Sequence, residues 1–128
     1  MGADAELVTE AELDRRYRTA TRLPSGGDYG LGCLIVPGAQ PVALDDAGIG
    51  RLFDEFGDIG TVLIDGDLRR GGHLLVSDRL MCLIVTGSLV AAGLSIFETE
   101  VLVGGDLQVG ALRDHDDLLT VEGARSVD

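Results

Sequence analysis

Lysine is absent from this 128-residue chain: all ten basic side chains are arginines, against 22 acids, for a formal net charge of −12. Each half carries eleven of the acids and five of the arginines, so the charge is spread evenly. A surface of this sign repels nucleic-acid phosphates and anionic membranes, and its expected partners are neutral or basic proteins. Aromatic residues are scarce as well, with three Phe, two Tyr and no Trp. The aliphatic residues that take their place suit stacked strands better than a globular α/β core. With two histidines and no fixed partner for either, His73 and His115 give no grounds for a Ser-His-Asp triad. Long hydrophobic runs are lacking except for Leu80 to Phe97, which is free of charge and long enough to be weighed as a membrane span. Gly87, Gly93, Thr86, Ser88 and Ser95 interrupt it in register with neighbouring segments, so it reads as strands. Residues 2–16 are acidic and helical, without the apolar centre of a secretory signal, and a cytoplasmic location is expected.

What the chain does have is a recurring phrase: a few aliphatic residues, one outlier, a glycine, then a small or acidic residue. It occurs as Val62-Leu63-Ile64-Asp65-Gly66-Asp67-Leu68 and Leu83-Ile84-Val85-Thr86-Gly87-Ser88-Leu89. It returns as Val101-Leu102-Val103-Gly104-Gly105-Asp106-Leu107 and, degraded, as Leu119-Thr120-Val121-Glu122-Gly123. The four glycines are 21, 18 and 18 residues apart. A period near 20 is that of a solenoid, in which each coil buries its apolar side against the next. An earlier copy, Cys33-Leu34-Ile35-Val36-Pro37-Gly38, matches Cys82 to Gly87 at five of six positions, giving up to five coils.

Alternation along each strand sorts the side chains into faces. Four residues before the glycines stand Leu34, Val62, Leu83, Val101 and Leu119; two before stand Val36, Ile64, Val85, Val103 and Val121. Both columns are apolar and are assigned to the core. Two after come Gln40, Leu68, Leu89, Leu107 and Arg125, polar at both ends, as a solenoid needs where its stack stops. The column three before the glycine, Ile35, Leu63, Ile84, Leu102 and Thr120, points outward yet is largely aliphatic. Such a stripe needs a cover: either a helix of the same chain, or a second copy or partner.

Two helices are predicted. Residues 45–57 form an inserted amphipathic helix with Asp45 as N-cap, Ile49, Leu52, Phe53 and Phe56 at i, i+3, i+4 and i+7, and Gly57 at the end. This helix is expected to lie over the stripe. Residues 8–22 form an N-terminal helix with a Thr9/Glu12 capping box and a narrow apolar stripe, expected to sit at an end of the solenoid. Pro24 to Gly32 is expected to be a flexible linker. The organisation is one domain, 1–128, with a first coil strand over 33–42 and coils over 61–123.

Chemistry is sparse. Cys33 and Cys82 lie on equivalent rungs two strand spacings apart, about 9.6 Å, which is beyond disulfide reach, and reduced thiols are expected. The turn Asp114-His115-Asp116-Asp117 gathers oxygen ligands and an imidazole and is a weak candidate for a divalent cation, with an acidic solvated turn as the simpler reading. No cofactor is expected, and His73 is given a surface or turn role.

The glycine-punctuated phrase, clearest in Ile64-Asp65-Gly66-Asp67-Leu68 and Val103-Gly104-Gly105-Asp106-Leu107, resembles that of the bactofilins, bacterial polymer-forming cytoskeletal proteins built on a small right-handed β-helix. The resemblance covers Thr61 to Gly123, about half the chain, and implies a right-handed parallel β-helix that self-assembles. The N-terminal and inserted helices depart from that family's short flexible tails. Three functions are therefore carried forward: a non-catalytic scaffold that self-associates through coil ends or the stripe of Ile35, Leu63, Ile84 and Leu102; an acidic, immunity-type protein that neutralises a basic partner; and an enzyme with a shallow site on a lateral face.

Overall fold

The computed structural model describes residues 5–38, 44–76, 79–114 and 118–127. Strand β1 (Glu6–Val8) is followed by helices α1 (Glu10–Tyr17) and α2 (Thr19–Arg22), then β2 (Gly32–Pro37) and helix α3 (Asp46–Phe56). From there the chain winds as a β-solenoid of about three turns, each turn supplying one strand to each of three sheets. The turns are β3 (Ile59–Asp65), β4 (Leu68–Arg69), β5 (His73–Val76); β6 (Cys82–Val85), β7 (Leu89–Ala91), β8 (Gly93–Ile96); and β9 (Glu100–Val103), β10 (Leu107–Val109), β11 (Leu112–Asp114). A partial turn, β12 (Leu119–Val121) and β13 (Arg125–Val127), closes the described chain. The outermost of the five predicted coils are thus single rungs or partial turns.

The first sheet runs β1-β2-β3-β6-β9-β12, the second β4-β7-β10-β13 and the third β5-β8-β11. All pairings are parallel except β1 on β2. The register is the one the glycine spacing predicts. Leu34 faces Val62, then Leu83, Val101 and Leu119, and Val36 faces Ile64, then Val85, Val103 and Val121. In the second sheet Leu68, Leu89, Leu107 and Arg125 stack; Gln40 lies outside the described residues. Apart from the exposed Arg125 and the partly buried Val121 in the last turn, these columns form the interior of the solenoid, buried together with Leu74, Leu94 and Ile96 of the third sheet.

The repeating glycine is required by close approach. A Cβ on Gly87 would stand 2.8 Å from the Gly66 carbonyl carbon, and one on Gly105 2.8 Å from that of Gly87. Backbone bonds run up this corner from Gly87 N to Gly66 O and from Gly105 N to Gly87 O, both 2.8 Å. The residue after the glycine explains the rest of the phrase. Asp67 Oδ1 accepts the Ser88 amide (2.8 Å), Ser88 Oγ accepts the Asp106 amide (3.1 Å), and Asp106 Oδ1 accepts the Ala124 amide (2.9 Å). A short side chain with an acceptor oxygen at that position ties each coil to the next.

The two helices exchange the places expected of them. In α3, Asp45 caps the Gly48 amide at 2.7 Å, and Ile49 and Leu52 join the interior cluster with Leu44. The helix therefore closes the N-terminal end, where β4 and β5 are the last strands of their sheets. Its broad apolar face matches the wide mouth of a three-sided core. The N-terminal segment instead crosses the outer face of the first sheet: Leu13 and Leu23 cluster with Ile35, Leu63, Ile84 and Leu102. Its single-leucine stripe matches one narrow column. Thr9 caps the Glu12 amide (3.1 Å), but Glu12 binds Arg15 and Arg16 rather than completing the capping box. The predicted helix 8–22 breaks at Arg18, which takes the left-handed conformation between α1 and α2.

Candidate functional site

The densest assembly of chemistry lies where the N-terminal segment meets the first sheet. Three outward columns form that face. The middle one is the aliphatic stripe, and the structure buries Ile35, Leu63, Ile84 and Leu102 beneath residues 9–30, so it is not an open surface. On one flank Cys33, Thr61, Cys82 and Glu100 are in register. On the other lie Asp65, Thr86, Gly104 and Glu122.

Glu100 is the residue that sequence reasoning missed. It stands on a strand rung where its neighbours up the column are thiols and a hydroxyl, and it is buried. A buried carboxylate needs donors, and the loop after α2 provides them: Ser25 Oγ, the Ser25 amide (3.2 Å) and the Tyr29 hydroxyl (2.7 Å). The loop's shape depends on left-handed Gly26 and Gly27. Glu10 of α1 then accepts the Tyr29 and Gly30 amides at 2.7 and 3.2 Å, closing residues 10–30 into a loop clasped at its base. Pro24 to Gly32, expected to be a flexible linker, is an ordered part of this arrangement. The signal was legible in principle: a lone glutamate at a strand position equivalent to Cys82.

The opposite flank is held by charge. Arg22 forms a bidentate pair with Glu122 in the last turn, at 2.5 and 2.9 Å. Gly104 leaves room for the guanidinium, since a Cβ there would stand 2.9 Å from Arg22 Nη2. Arg22 holds the Glu122 carboxyl below its ordinary range. The Tyr17 phenol is raised, by burial first and by the Asp65 charge next. Under the cover, burial pushes the Cys33 thiol up to about 11, and burial followed by the Glu100 charge raises Cys82 as well. Both cysteines are free and buried. These are protonated, shielded thiols, the opposite of an activated nucleophile.

Elsewhere, His73 Nε2 and Ser95 Oγ are 2.7 Å apart on the outer face of the third sheet. The imidazole lies over Gly93, where a Cβ would collide with its Nδ1. Ser95 is buried, and a shallow hollow beside His73 is lined by Leu44, Asp45, Arg70, Leu74 and Leu75 without Ser95. A covered hydroxyl does not serve as a nucleophile toward a ligand in that hollow. Asp114 spends its two oxygens on the amides of Leu118 (3.0 Å) and Leu119 (3.1 Å). His115, Asp116 and Asp117 lie outside the described residues. Among the described residues no three His, Cys, Asp or Glu side chains gather as a metal site, and no helix is long and apolar enough to cross a membrane. Comparison with protein-family models, curated proteins and solved structures finds no match to this chain.

Proposed function

We propose that this protein is a non-catalytic assembly module, a right-handed β-helix that associates with a second copy through its C-terminal end. Right-handed connection between parallel strands is the usual sense, and it agrees with the bactofilin-like repeat. One observation carries the reading: the two ends of the solenoid are unlike. The N-terminal end is closed by α3, and β1 runs antiparallel along the first rung. At the other end Val127 occupies an inward position below Val109, yet it is 46% exposed where Val109 is 2% exposed. Among the described residues β12 and β13 are edge strands, and an exposed edge beside an exposed apolar side chain favours pairing with another chain. With α3 over one end and the exposed Val127 at the other, a self-complementary contact gives a two-fold pair rather than a filament. Arg125, whose guanidinium donates to the Leu119 carbonyl at 3.1 Å, lies at the same end and must swing aside.

Light scattering on size-exclusion fractions tests this. The wild type is expected to be a dimer, and Val127→Asp a folded monomer by circular dichroism, because a charge is tolerated in water but not in a packed interface. A monomeric wild type at high concentration sinks the reading. It promotes the alternative, an acidic protein bound to a basic partner by charge complementarity, for which the net charge of −12 is the supporting observation.

A further inference from the structure

The segment over the first sheet has the construction of a separable strap. Only Leu13 and Leu23 are fully buried among its aliphatic residues, with Tyr17 and Tyr29 half-buried beside them. Its remaining ties to the sheet are polar and sit at its margins: Arg22 to Glu122, and Ser25 and Tyr29 to Glu100. Internally it is held by its own bonds. The Tyr29 and Gly30 amides donate to the Glu10 carboxylate, the Ala20 amide to Asp14 Oδ1 (2.8 Å), and Arg22 Nη1 to the Tyr17 carbonyl (2.9 Å). A unit with few buried apolar contacts and its own hydrogen-bond closure is the kind that opens locally while the core stays folded. The joint is also present. Gly30 has a left-handed backbone, and a Cβ there would find nothing within 4 Å.

Release would bare a face of four large aliphatic side chains and two thiols, with Glu100 on one flank and Asp65 and Glu122 on the other. A partner that fits it needs two apolar anchors along one column, hydroxyl donors for Glu100 and a planar cation for Glu122. The strap has that pattern, and every other copy of the chain carries the same strap. We propose that this face binds the strap of a second copy, exchanged about the Gly30–Gly32 joint together with β1, so that each solenoid is covered by its partner's N-terminal segment. Exchange of an identical element needs no new complementarity. The tethered strap competes at an effective concentration of roughly millimolar, so exchange is expected when copies are crowded to that level. The inference stands apart from the end-to-end reading because it uses a lateral face.

Reciprocal charge reversal tests it. In Arg22→Glu alone and Glu122→Arg alone, the strap meets a like charge whether it docks in its own chain or in another. When the two variants are mixed, exchange restores an opposite-charge pair at both sites. Millimolar mixtures incubated in mild denaturant and returned to buffer should give dimers containing one copy of each, seen by native mass spectrometry. Their yield should exceed that of either variant alone by roughly tenfold, on the scale of two partly exposed ion pairs. Val127→Asp added to both chains should leave these mixed dimers in place. No enrichment on mixing overturns the exchange, and so does loss of the mixed dimers with Val127→Asp, which would mark them as end-to-end pairs.

Discussion

The first and second sheets climb the same solenoid on the same rungs, yet they meet different surroundings. Strands β3, β6 and β9 are buried nearly throughout, on both faces. Strands β7 and β10 alternate, with Leu89, Ala91, Leu107 and Val109 buried and Val90 and Gln108 turned outward. The repeat itself does not make that difference; the strap does. A strand covered on both sides reads as a continuous aliphatic run, and one covered on a single side reads as alternation. Runs such as Val62-Leu63-Ile64 and Leu83-Ile84-Val85 fit a covered strand and Leu107-Gln108-Val109 an uncovered one, while Leu89-Val90-Ala91, apolar throughout with Val90 half-exposed, shows that one strand alone does not decide it.

The largest expected effect breaks this comparison directly. Ile84→Asp places an unpaired charge at an outward position that is fully buried, and it should cost about 2–4 kcal/mol, up to the free energy at which the strap opens. Gln108→Asp, outward on the second sheet and exposed, should change stability by no more than about 0.5 kcal/mol. Urea titrations of the two variants compare them; equal losses would mean that the outer faces do not differ.

Much of this was legible. Period, register and the inward columns followed from the glycines, because the close approach at each corner admits no side chain and so marks every coil. The aliphatic stripe announced a cover. The identity of the cover did not follow, because helical periodicity reports how wide an apolar face is and not which surface it meets: α3 and α1 were assigned each other's places. The Glu100 node was missed for a related reason. Its donors, Ser25 and Tyr29, lie more than 70 residues away in a stretch whose glycines read as linker, and they become ligands only when left-handed turns fold that loop onto the sheet. Of the cation-site candidate at 114–117 only Asp114 is among the described residues, and its carboxylate accepts the amides of its own turn.

A smaller effect sharpens the comparison between the corner that stacks and the loop that does not. In Gly87→Ala the new methyl must push against the Asp67 carboxylate and the Gly66 backbone, and a loss of about 1–3 kcal/mol is expected. At Gly71 a Cβ meets nothing within 4 Å, and Gly71→Ala should be neutral or stabilising by up to about 1 kcal/mol through the unfolded chain. Thermal melts of the pair measure it, and equal shifts would remove the corner argument.

The central claim is that the outer face of the first sheet is closed by the chain's own N-terminal segment, and the two cysteines beneath it report on that closure. The most direct measurement is the rate at which Cys33 and Cys82 react with an aromatic disulfide reagent in native buffer at pH 8. Both are buried and both have raised pKa values, by burial first. The account predicts two reactive thiols per chain only after denaturation, and in native protein a reaction at least about a hundredfold slower than that of a free thiol, limited by opening of the strap. Immediate reaction of both thiols at the free-thiol rate in folded protein would contradict it.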